Sequence, residues 1–327
     1  RGIDDMLESL DPYTNYIPES EIEDYRYMTT GQYGGIGALI RQQGDYVVVS
    51  EPYEGFPAQK ADLRAGDRIL KINDIDTKGK KTDDISKFLK GQASTTIKLL
   101  IEREGEKKPI EKVISREEIK IKSVSYSGMI TKNIGYIKLT GFTENAANEV
   151  KEALENLKKN PELKSVVFDL RGNPGGLLKE AVDIVNIFVE KGTDVVSTRG
   201  KVKDWDKIHK ALNVPVDLNI PIAVLVDRGS ASASEIVSGS IQDLDRGVVI
   251  GQRSYGKGLV QQTRPLSYNA QLKITVAKYY TPSGRCIQAL DYSHRNEDGS
   301  VAKVPDSLIT AFKTKNGRIV YDGGGVA

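Results

Sequence analysis

Residues 222–262 read IAVLVDRGSASASEIVSGSIQDLDRGVVIGQRSYGKGLVQQ and decide the fold of the second half of the chain. The stretch opens with an apolar, β-branched run, Ile222–Val226, which is typical of a buried strand. A turn of small residues follows, and the pattern at about 234–244 predicts a helix. A strand that leads through a tight turn into a helix is the repeating unit of an α/β core.

The turn and the sequence after it also suit a nucleophile and a base. Ser230, Ser232 and Ser234 lie in the turn, where the N-terminus of the next helix would stabilise negative charge. Lys257 follows between two glycines, and a lysine that burial keeps neutral can take the proton of a serine hydroxyl. The composition of the turn does not separate the three serines, because serine is also a favoured helix N-cap.

The strand–turn–helix plan recurs upstream, so we expect an α/β core over residues 119–327. Its other predicted elements are strands at 124–129, 134–139 and 165–170, helices at 145–160 and 177–190, a glycine turn at 171–176, and further strands at 247–251 and 270–280. Residues 193–219, which include Trp205 and His209, are polar and irregular and predict a loop or flap within this core.

Residues 31–118 predict a separate, β-rich domain. Its signals are the loop Gly34-Gly35-Ile36-Gly37, a Pro-Ala-x-x-Ala-x-Leu-x-x-Gly-Asp-x-Ile core at 57–69, and an Asn-Asp turn at 73–74. In this order they resemble a PDZ domain. Glycines let backbone N–H groups point at one carboxylate, and the strand edge at 36–40 could pair with an extended peptide. We therefore expect this domain to bind free, apolar C-terminal tails.

Residues 1–30 form an acidic, helix-prone lead-in broken at Asp11-Pro12, and we expect a packing segment without chemistry. The chain starts at Arg1 without a signal sequence, which predicts a fragment or mature piece whose targeting segment is absent. No run of 18 apolar residues is present, so no transmembrane segment is expected.

Charge and cysteine content narrow the function classes. The 327 residues carry 47 basic and 45 acidic side chains, so no strong positive field indicates nucleic-acid binding. The single cysteine, Cys286, excludes an internal disulfide framework and argues against a cysteine-rich metal site. We expect neither a metal nor an organic cofactor.

Several motifs together resemble the C-terminal processing peptidases, also called tail-specific proteases. The resemblance rests on SLDPYT at 9–14, RGNPGG at 171–176, GSASASEI at 229–236, Gln-Asp at 242–243, GKGLVQ at 256–261 and YYTPSGR at 279–285. It covers the whole chain in order. It implies a multidomain α/β fold, in which an N-terminal helical segment and a PDZ-like domain are joined to a protease core of the ClpP/crotonase-like type.

The resemblance also implies roles for particular residues. Ser232 would be the nucleophile, Lys257 the general base, and Gln261 the residue that holds the lysine. The backbone N–H of Ala233, with that of Gly176 or Gly175, would form the oxyanion hole, and no metal would be needed. Glu235 and Asp243 match acidic positions of the motif, and site support and helix structure remain equally open for them.

The implied activity is serine-type endoproteolysis near protein C-termini, with the PDZ domain recognising the tail and gating the core. The implied partners are proteins or peptides with free apolar C-termini, and a homo-oligomer or an activating adaptor stays open. Bacterial members of the family usually work in the periplasm or cell envelope, which predicts that location. Three alternatives remain: a histidine-based triad using His209 or His294, an idle scaffold, and a hydrolase or hydratase acting on acyl thioesters.

Overall fold

A computed structural model describes residues 2–296 and 299–326, with only the backbone described at 205 and 293–295. The helices are α1 (Gly2–Glu8), α2 (Ile22–Thr30), α3 (Pro57–Lys60), α4 (Thr82–Leu89), α5 (Ala146–Lys158), α6 (Leu178–Asn186) and α7 (Ala233–Asp243). Short 3-10 helices cover Glu19–Glu21, Lys203–Trp205 and Asp306–Leu308.

The strands of the first part of the chain are β1 (Asn15–Ile17), β2 (Gln32–Gly35), β3 (Ala38–Gln43), β4 (Tyr46–Pro52), β5 (Arg68–Ile72), β6 (Ile75–Asp76), β7 (Thr96–Glu102), β8 (Ile110–Ser115) and β9 (Glu117–Lys120). Those of the second part are β10 (Val124–Met129), β11 (Ile134–Leu139), β12 (Ser165–Asp169), β13 (Asp194–Gly200), β14 (Lys207–Lys210), β15 (Ile222–Val226), β16 (Val248–Gly251), β17 (Leu259–Pro265), β18 (Gln271–Tyr280), β19 (Leu290–Arg295), β20 (Val301–Lys303), β21 (Ala311–Lys313) and β22 (Ile319–Tyr321).

Two compact units divide the chain. The larger unit holds residues 1–17 together with 122–327, and the smaller unit holds residues 18–121. The expected boundaries were a separate segment at 1–30 and a domain at 31–118, so the observed division differs from them at the N-terminal side. The difference arises because β1 pairs with β18 of the larger unit, whereas α2 packs against β2 of the smaller unit.

The smaller unit is built on an antiparallel sheet with the order β3-β4-β5-β7-β8, with β6 beside β5, so β3 lies at an edge. Side chains alternate between the two faces of β7, so Ile97, Leu99 and Ile101 all point to the same side. They lie in a buried core that also contains Ile85 of α4. The predicted turn at Asn73 and Asp74 joins β5 to β6, and both residues have positive φ angles of 46° and 67°.

The larger unit centres on a sheet with the order β10-β11-β12-β15-β16. The central pairs β11–β12, β12–β15 and β15–β16 are parallel, which requires crossover connections, and α5, α6 and α7 supply them. Buried side chains of β12 and β15, such as Phe168 and Val224, share one hydrophobic core with these helices. Because the strands are parallel, the turns after β12 and β15 emerge at the same edge of the sheet.

A second sheet of the larger unit has the order β1-β18-β13-β14, with β17 also paired to β18. This sheet contains much of the segment 193–219, where we expected a loop or flap. Instead, β13 and β14 pair antiparallel there, and Val195, Val196 and Thr198 of β13 are buried. The polar and charged residues in and around β13 masked its strand pattern in the sequence.

Candidate active site

The turn after β15 delivers Ser232 to the N-terminus of α7 in an unusual backbone conformation. Ser232 has φ 55° and ψ −112°, a region that non-glycine residues seldom adopt. Ser230 Oγ accepts the N–H of Asp227 at 2.9 Å, and the Asp227 carboxylate accepts the N–H of Gly229 at 2.9 Å. These bonds fix the turn, so the strain at Ser232 is held by its surroundings.

Burial distinguishes the three candidate serines. Ser230 Oγ donates to the Leu170 carbonyl at 2.8 Å, and Ser234 Oγ donates to the Asn173 carbonyl at 2.9 Å. Both of these serines are completely buried, whereas Ser232 is partly exposed. A hydroxyl that attacks a substrate must be reachable, and among the three only Ser232 meets that condition.

A single carboxylate ties the serine turn to the lysine segment. Oε2 of Glu235 accepts the N–H of Ser232 at 2.8 Å and the N–H of Lys257 at 2.9 Å. Its Oε1 accepts the N–H of Gly256 and the hydroxyl of Ser254, both at 2.6 Å. Glu235 is fully buried, and that burial raises its pKa to about 7 against the opposing effect of these hydrogen bonds.

Tyr279 makes a second connection between the same two residues. Its hydroxyl lies 3.1 Å from the carbonyl oxygen of Ser232 and 2.5 Å from that of Lys257, so its proton is shared between them. Tyr279 is itself 1% exposed. Backbone groups of Ser232 and Lys257 are thus held on both sides by buried side chains.

The amine of Lys257 lies in surroundings that favour its neutral form. Burial lowers its pKa to about 8, and repulsion from Lys273 adds to the effect, while Glu235 and Asp11 oppose it. No salt bridge to Lys257 is found in the described part of the chain. Its Nζ instead lies 4.4 Å from the centre of the Tyr13 ring.

The glycine turn at 171–176 lies against the serine turn. Asn173, which is fully buried, accepts the N–H of Ala231 on its carbonyl at 3.0 Å. A Cβ placed on Gly175 would lie 2.8 Å from Ser232 Cβ and 2.9 Å from the N atom of Ala233, so only glycine fits there. The sequence did not reveal this connection through Asn173, because a turn asparagine normally indicates only local structure.

The predicted oxyanion donors differ in their availability. The N–H of Gly175 donates to Asn173 Oδ1 at 2.9 Å. Within 2–296 and 299–326, no acceptor is found for the N–H of Gly176 or of Ala233. Of the two glycines, Gly176 is therefore the better candidate to form an oxyanion hole together with Ala233.

Comparison with known proteins gives the family. Residues 133–292 match the model of Peptidase family S41, and residues 48–103 match a PDZ domain. A carboxy-terminal-processing protease of Bartonella bacilliformis is 40% identical over 293 residues, which cover 88% of this chain and 67% of that protein. The chain belongs to peptidase family S41.

Two further similarities agree with this assignment. A probable CtpA-like serine protease of Staphylococcus aureus is 38% identical over 290 residues, covering 88% of this chain and 57% of that protein. The solved structure of a photosystem II D1 C-terminal processing protease is 32% identical with a TM-score of 0.52, covering 88% of this chain and 78% of that one. The predicted family, the multidomain α/β fold and the enzyme class, a serine-type processing peptidase, are confirmed.

Gln261 of this S41 chain lies on β17, and the hydrogen bond found for its side chain goes to Thr275 and not to the lysine with which the resemblance pairs it. Its Nε2 donates to Thr275 Oγ1 at 3.1 Å, and no hydrogen bond from it to Lys257 is found in the described chain. Thr275 also donates its N–H to Thr14 Oγ1 at 3.2 Å, so Gln261 is connected to the N-terminal segment.

Asp243, the last residue of α7, has a structural role. It forms a buried ion pair with Arg285, 2.8 Å between Oδ1 and the guanidinium, and accepts the hydroxyls of Thr281 and Ser283 at 2.6 Å. This carboxylate thus anchors the YYTPSGR segment to α7. The sequence left open whether Asp243 and Glu235 support the site or the helix. Asp243 stabilises the packing of α7 against the YYTPSGR segment, whereas Glu235 connects Ser232 to Lys257.

The predicted carboxylate loop of the PDZ domain is only partly free. Gly34 and Gly35 belong to β2 and pair with β9, and the N–H of Gly34 donates to the Glu23 carboxylate at 2.7 Å. For the N–H groups of Ile36 and Gly37, no protein acceptor is found among the residues the structure describes. Gly37 has φ 71°, and a Cβ there would lie 2.6 Å from Phe56 Cβ.

Other candidate chemistry is not supported by geometry. His209 lies on β14, where burial lowers its pKa, and the His294 side chain lies outside the described residues. No cluster of side chains that could hold a metal ion occurs in the described ranges. No helix among them is long and apolar enough to cross a membrane.

Proposed function

We propose that this chain is a serine endopeptidase that cleaves proteins near their C-termini with a Ser232–Lys257 dyad. The observation that carries the proposal is the Glu235 carboxylate, which accepts the backbone N–H groups of both residues, while Ser232 is the one of the three candidate serines that is not buried. The names of the Bartonella and photosystem II relatives support processing at carboxyl termini.

In this mechanism Ser232 Oγ attacks the substrate carbonyl while the neutral Lys257 amine takes its proton. The oxyanion of the tetrahedral intermediate accepts hydrogen bonds from the N–H groups of Ala233 and Gly176, for which no protein acceptor is found among the described residues. The Lys257 ammonium then gives its proton to the leaving amine, and an ester with Ser232 remains. Water, deprotonated by Lys257, hydrolyses that ester by the same steps in reverse order.

The smaller unit supplies tail recognition in this proposal. The N–H groups of Ile36 and Gly37, for which no protein acceptor is found among the described residues, would donate hydrogen bonds to the terminal carboxylate, and the edge strand β3 would pair with the tail. We extend the proposal to gating of the protease core by the PDZ domain and to a periplasmic or envelope location, both of which rest on the family resemblance.

The direct test is cleavage of an unfolded protein with an apolar C-terminal tail. The substitutions Ser232→Ala and Lys257→Ala should each abolish cleavage. The matched controls are Ser267→Ala and Lys278→Ala, at exposed positions, and both should retain cleavage. Wild-type activity should rise with pH through about 8, because only the neutral amine of Lys257 accepts a proton. His209→Ala should leave that profile unchanged.

Cleavage that survives either site substitution would contradict the dyad. Circular dichroism and thermal unfolding of each variant separate loss of chemistry from loss of fold. An active wild type whose pH profile follows His209 would favour the histidine-based alternative instead.

A further inference from the structure

The N-terminal segment, in which the sequence indicated no chemistry, is fixed against the proposed site by its own hydrogen bonds. Asp11 is 6% exposed, and its Oδ1 accepts the N–H of Tyr13 at 2.8 Å and of Thr14 at 2.9 Å. Its Oδ2 accepts the Thr14 hydroxyl at 3.0 Å. The next residues form β1, which pairs with β18 in the register Asn15↔Lys273. Hydrogen bonds therefore hold the backbone at Tyr13 and on its C-terminal side.

This anchoring aims the ring of Tyr13 at Lys257. The Lys257 Nζ lies 4.4 Å from the ring centre, well inside the range of about 6 Å in which an aromatic face attracts a cation. The ring is oriented by Tyr292, whose edge meets it at 6.0 Å and 84°, and its hydroxyl lies 3.5 Å from that of Tyr255. Since no salt bridge to Lys257 is found in the described chain, the ring is the cation-binding surface that this amine meets.

A second contact links the same segment to the site. Thr14 Oγ1 accepts the N–H of Thr275 at 3.2 Å, and Thr275 Oγ1 accepts the side chain of Gln261 at 3.1 Å. Thr14 is 2% exposed, and both hydrogen bonds of this link are partly buried. One short segment thus reaches both the lysine and the glutamine to which the resemblance gives the task of holding it.

We propose that Tyr13 is a positioning residue for Lys257: its aromatic face holds the amine toward Ser232 and stabilises the ammonium that forms while the substrate is attacked. The inference rests on the proposed dyad, because it concerns how the base of that dyad is held. The reaction needs Lys257 to be neutral before attack and charged after it. A ring face serves this cycle better than a carboxylate, which would keep the amine charged throughout.

Other charged groups around Lys257 set the background against which Tyr13 acts. Lys273 of β18 repels the ammonium, whereas Glu235 of α7 and Asp11 of the N-terminal segment attract it. Removing the ring leaves these three groups in place. The change in the pH profile of a Tyr13 variant therefore reports the ring itself.

The test compares Tyr13→Leu, which keeps an apolar side chain without a π face, with Tyr13→Phe, which keeps the face without the hydroxyl. For Tyr13→Leu we expect kcat to fall by about tenfold with little change in KM. We also expect the pH of half-maximal activity to fall by roughly half a unit to one unit, because the ammonium loses its cation–π partner. Tyr13→Phe should keep kcat within about threefold and leave the profile in place.

Tyr16→Leu, on the same segment, is the matched control and should behave as wild type in both readouts. Thermal unfolding checks the fold, and Tyr13→Met provides a second apolar variant if the leucine variant unfolds. The inference is overturned if the apolar variant that folds shows unchanged kcat, if its half-activity pH is unmoved or rises, or if Tyr13→Phe loses as much as Tyr13→Leu.

These outcomes are separate from failure of the proposed function. If cleavage and its pH limb persist in Lys257→Ala, the dyad itself is wrong, whatever Tyr13 does. If Lys257→Ala is inactive and Tyr13→Leu is normal, the dyad stands and only the positioning role is lost.

Discussion

At the scale of single residues, Glu235 carries the greatest number of connections in the candidate site. A carboxylate without a proton is acceptor-only, and all four of its contacts present N–H or O–H groups to it. It can therefore satisfy the turn before α7 and the turn before β17 at once. No neutral side chain of the same shape offers two acceptor oxygens.

We predict that Glu235→Gln, although isosteric, loses turnover and stability. Its amide NH₂ must face either Ser232 and Lys257 or Ser254 and Gly256, and so leaves a buried N–H without an acceptor. An unsatisfied buried group costs about 1–3 kcal/mol, which denaturant unfolding would measure. We expect kcat to fall by about tenfold or more as the serine and lysine turns separate.

Glu152→Gln, at an exposed position on α5, is the control and should change neither quantity. A Glu235→Gln enzyme with wild-type stability and wild-type kcat would show that the carboxylate bridge is dispensable.

At the scale of elements, the site depends on two turns that follow the parallel strands β12 and β15. The turn after β12 approaches the start of α7 so closely that a Cβ on Gly175 would meet three backbone or Cβ atoms at 2.7 to 2.9 Å. None of these atoms is the end of a flexible side chain, so none can move aside without moving the turn that carries Ser232.

Gly175→Ala should therefore be much more damaging than Gly172→Ala in the same turn. Both glycines have positive φ, 103° and 72°, but a Cβ on Gly172 meets nothing within 4 Å. Gly172→Ala should cost only the backbone strain, about 1–2 kcal/mol, and keep its activity. Gly175→Ala should lose activity by about a hundredfold or more, since the new Cβ would also push against the N atom of Ala233, a proposed oxyanion donor, at 2.9 Å. Equal effects of the two changes on kcat would contradict the close approach.

The strands of the central sheet of the larger unit, β10, β11, β12, β15 and β16, were predictable because their patterns are strong, whereas β1, β13, β14, β17 and β19 to β22 were not predicted. The strands Val124–Met129, Ile134–Leu139 and Ile222–Val226 have the predicted bounds, and α7 begins one residue before its predicted start. The hairpin of β13 and β14 was missed because its buried residues follow no strict alternation and are flanked by charged ones such as Asp194 and Arg199. Its burial depends on β18, which lies far along the sequence and leaves no local signal.

The site itself was predictable only in part. The serine turn and the lysine between two glycines are visible as motifs, and the Ser-Glu spacing of Ser232 and Glu235 is a capping pattern. The contact of Tyr13 with Lys257 joins residues at opposite ends of the chain, and nothing in the composition of the lead-in indicates it. The only available signal was the resemblance of the SLDPYT segment, which does not say what its tyrosine does.

At the scale of the whole molecule, the chain combines a PDZ domain with a protease core. We predict that the catalytically silent Ser232→Ala chain binds an apolar tail peptide as a free acid at least about tenfold more tightly than as its C-terminal amide, because the amide carries no charge for the N–H groups of Ile36 and Gly37. Fluorescence anisotropy with labelled peptides measures both constants.

A peptide whose terminal residue is polar serves as the control for the apolar requirement. Equal affinity for the acid and the amide would remove carboxylate recognition from the proposed function, while leaving the dyad untouched.

The smaller unit interrupts the larger one in sequence, because residues 1–17 and 122–327 belong to the same compact unit. The PDZ domain is therefore an insertion with two covalent tethers rather than a terminal appendage with one. A single nick in either tether leaves it attached, so limited proteolysis releases it only after both are cut. The N-terminal piece that carries Tyr13 would then be retained only by noncovalent contacts, among them the pairing of β1 with β18 and the hydrogen bond from the N–H of Thr275 to Thr14 Oγ1, without any remaining peptide bond to the protease core.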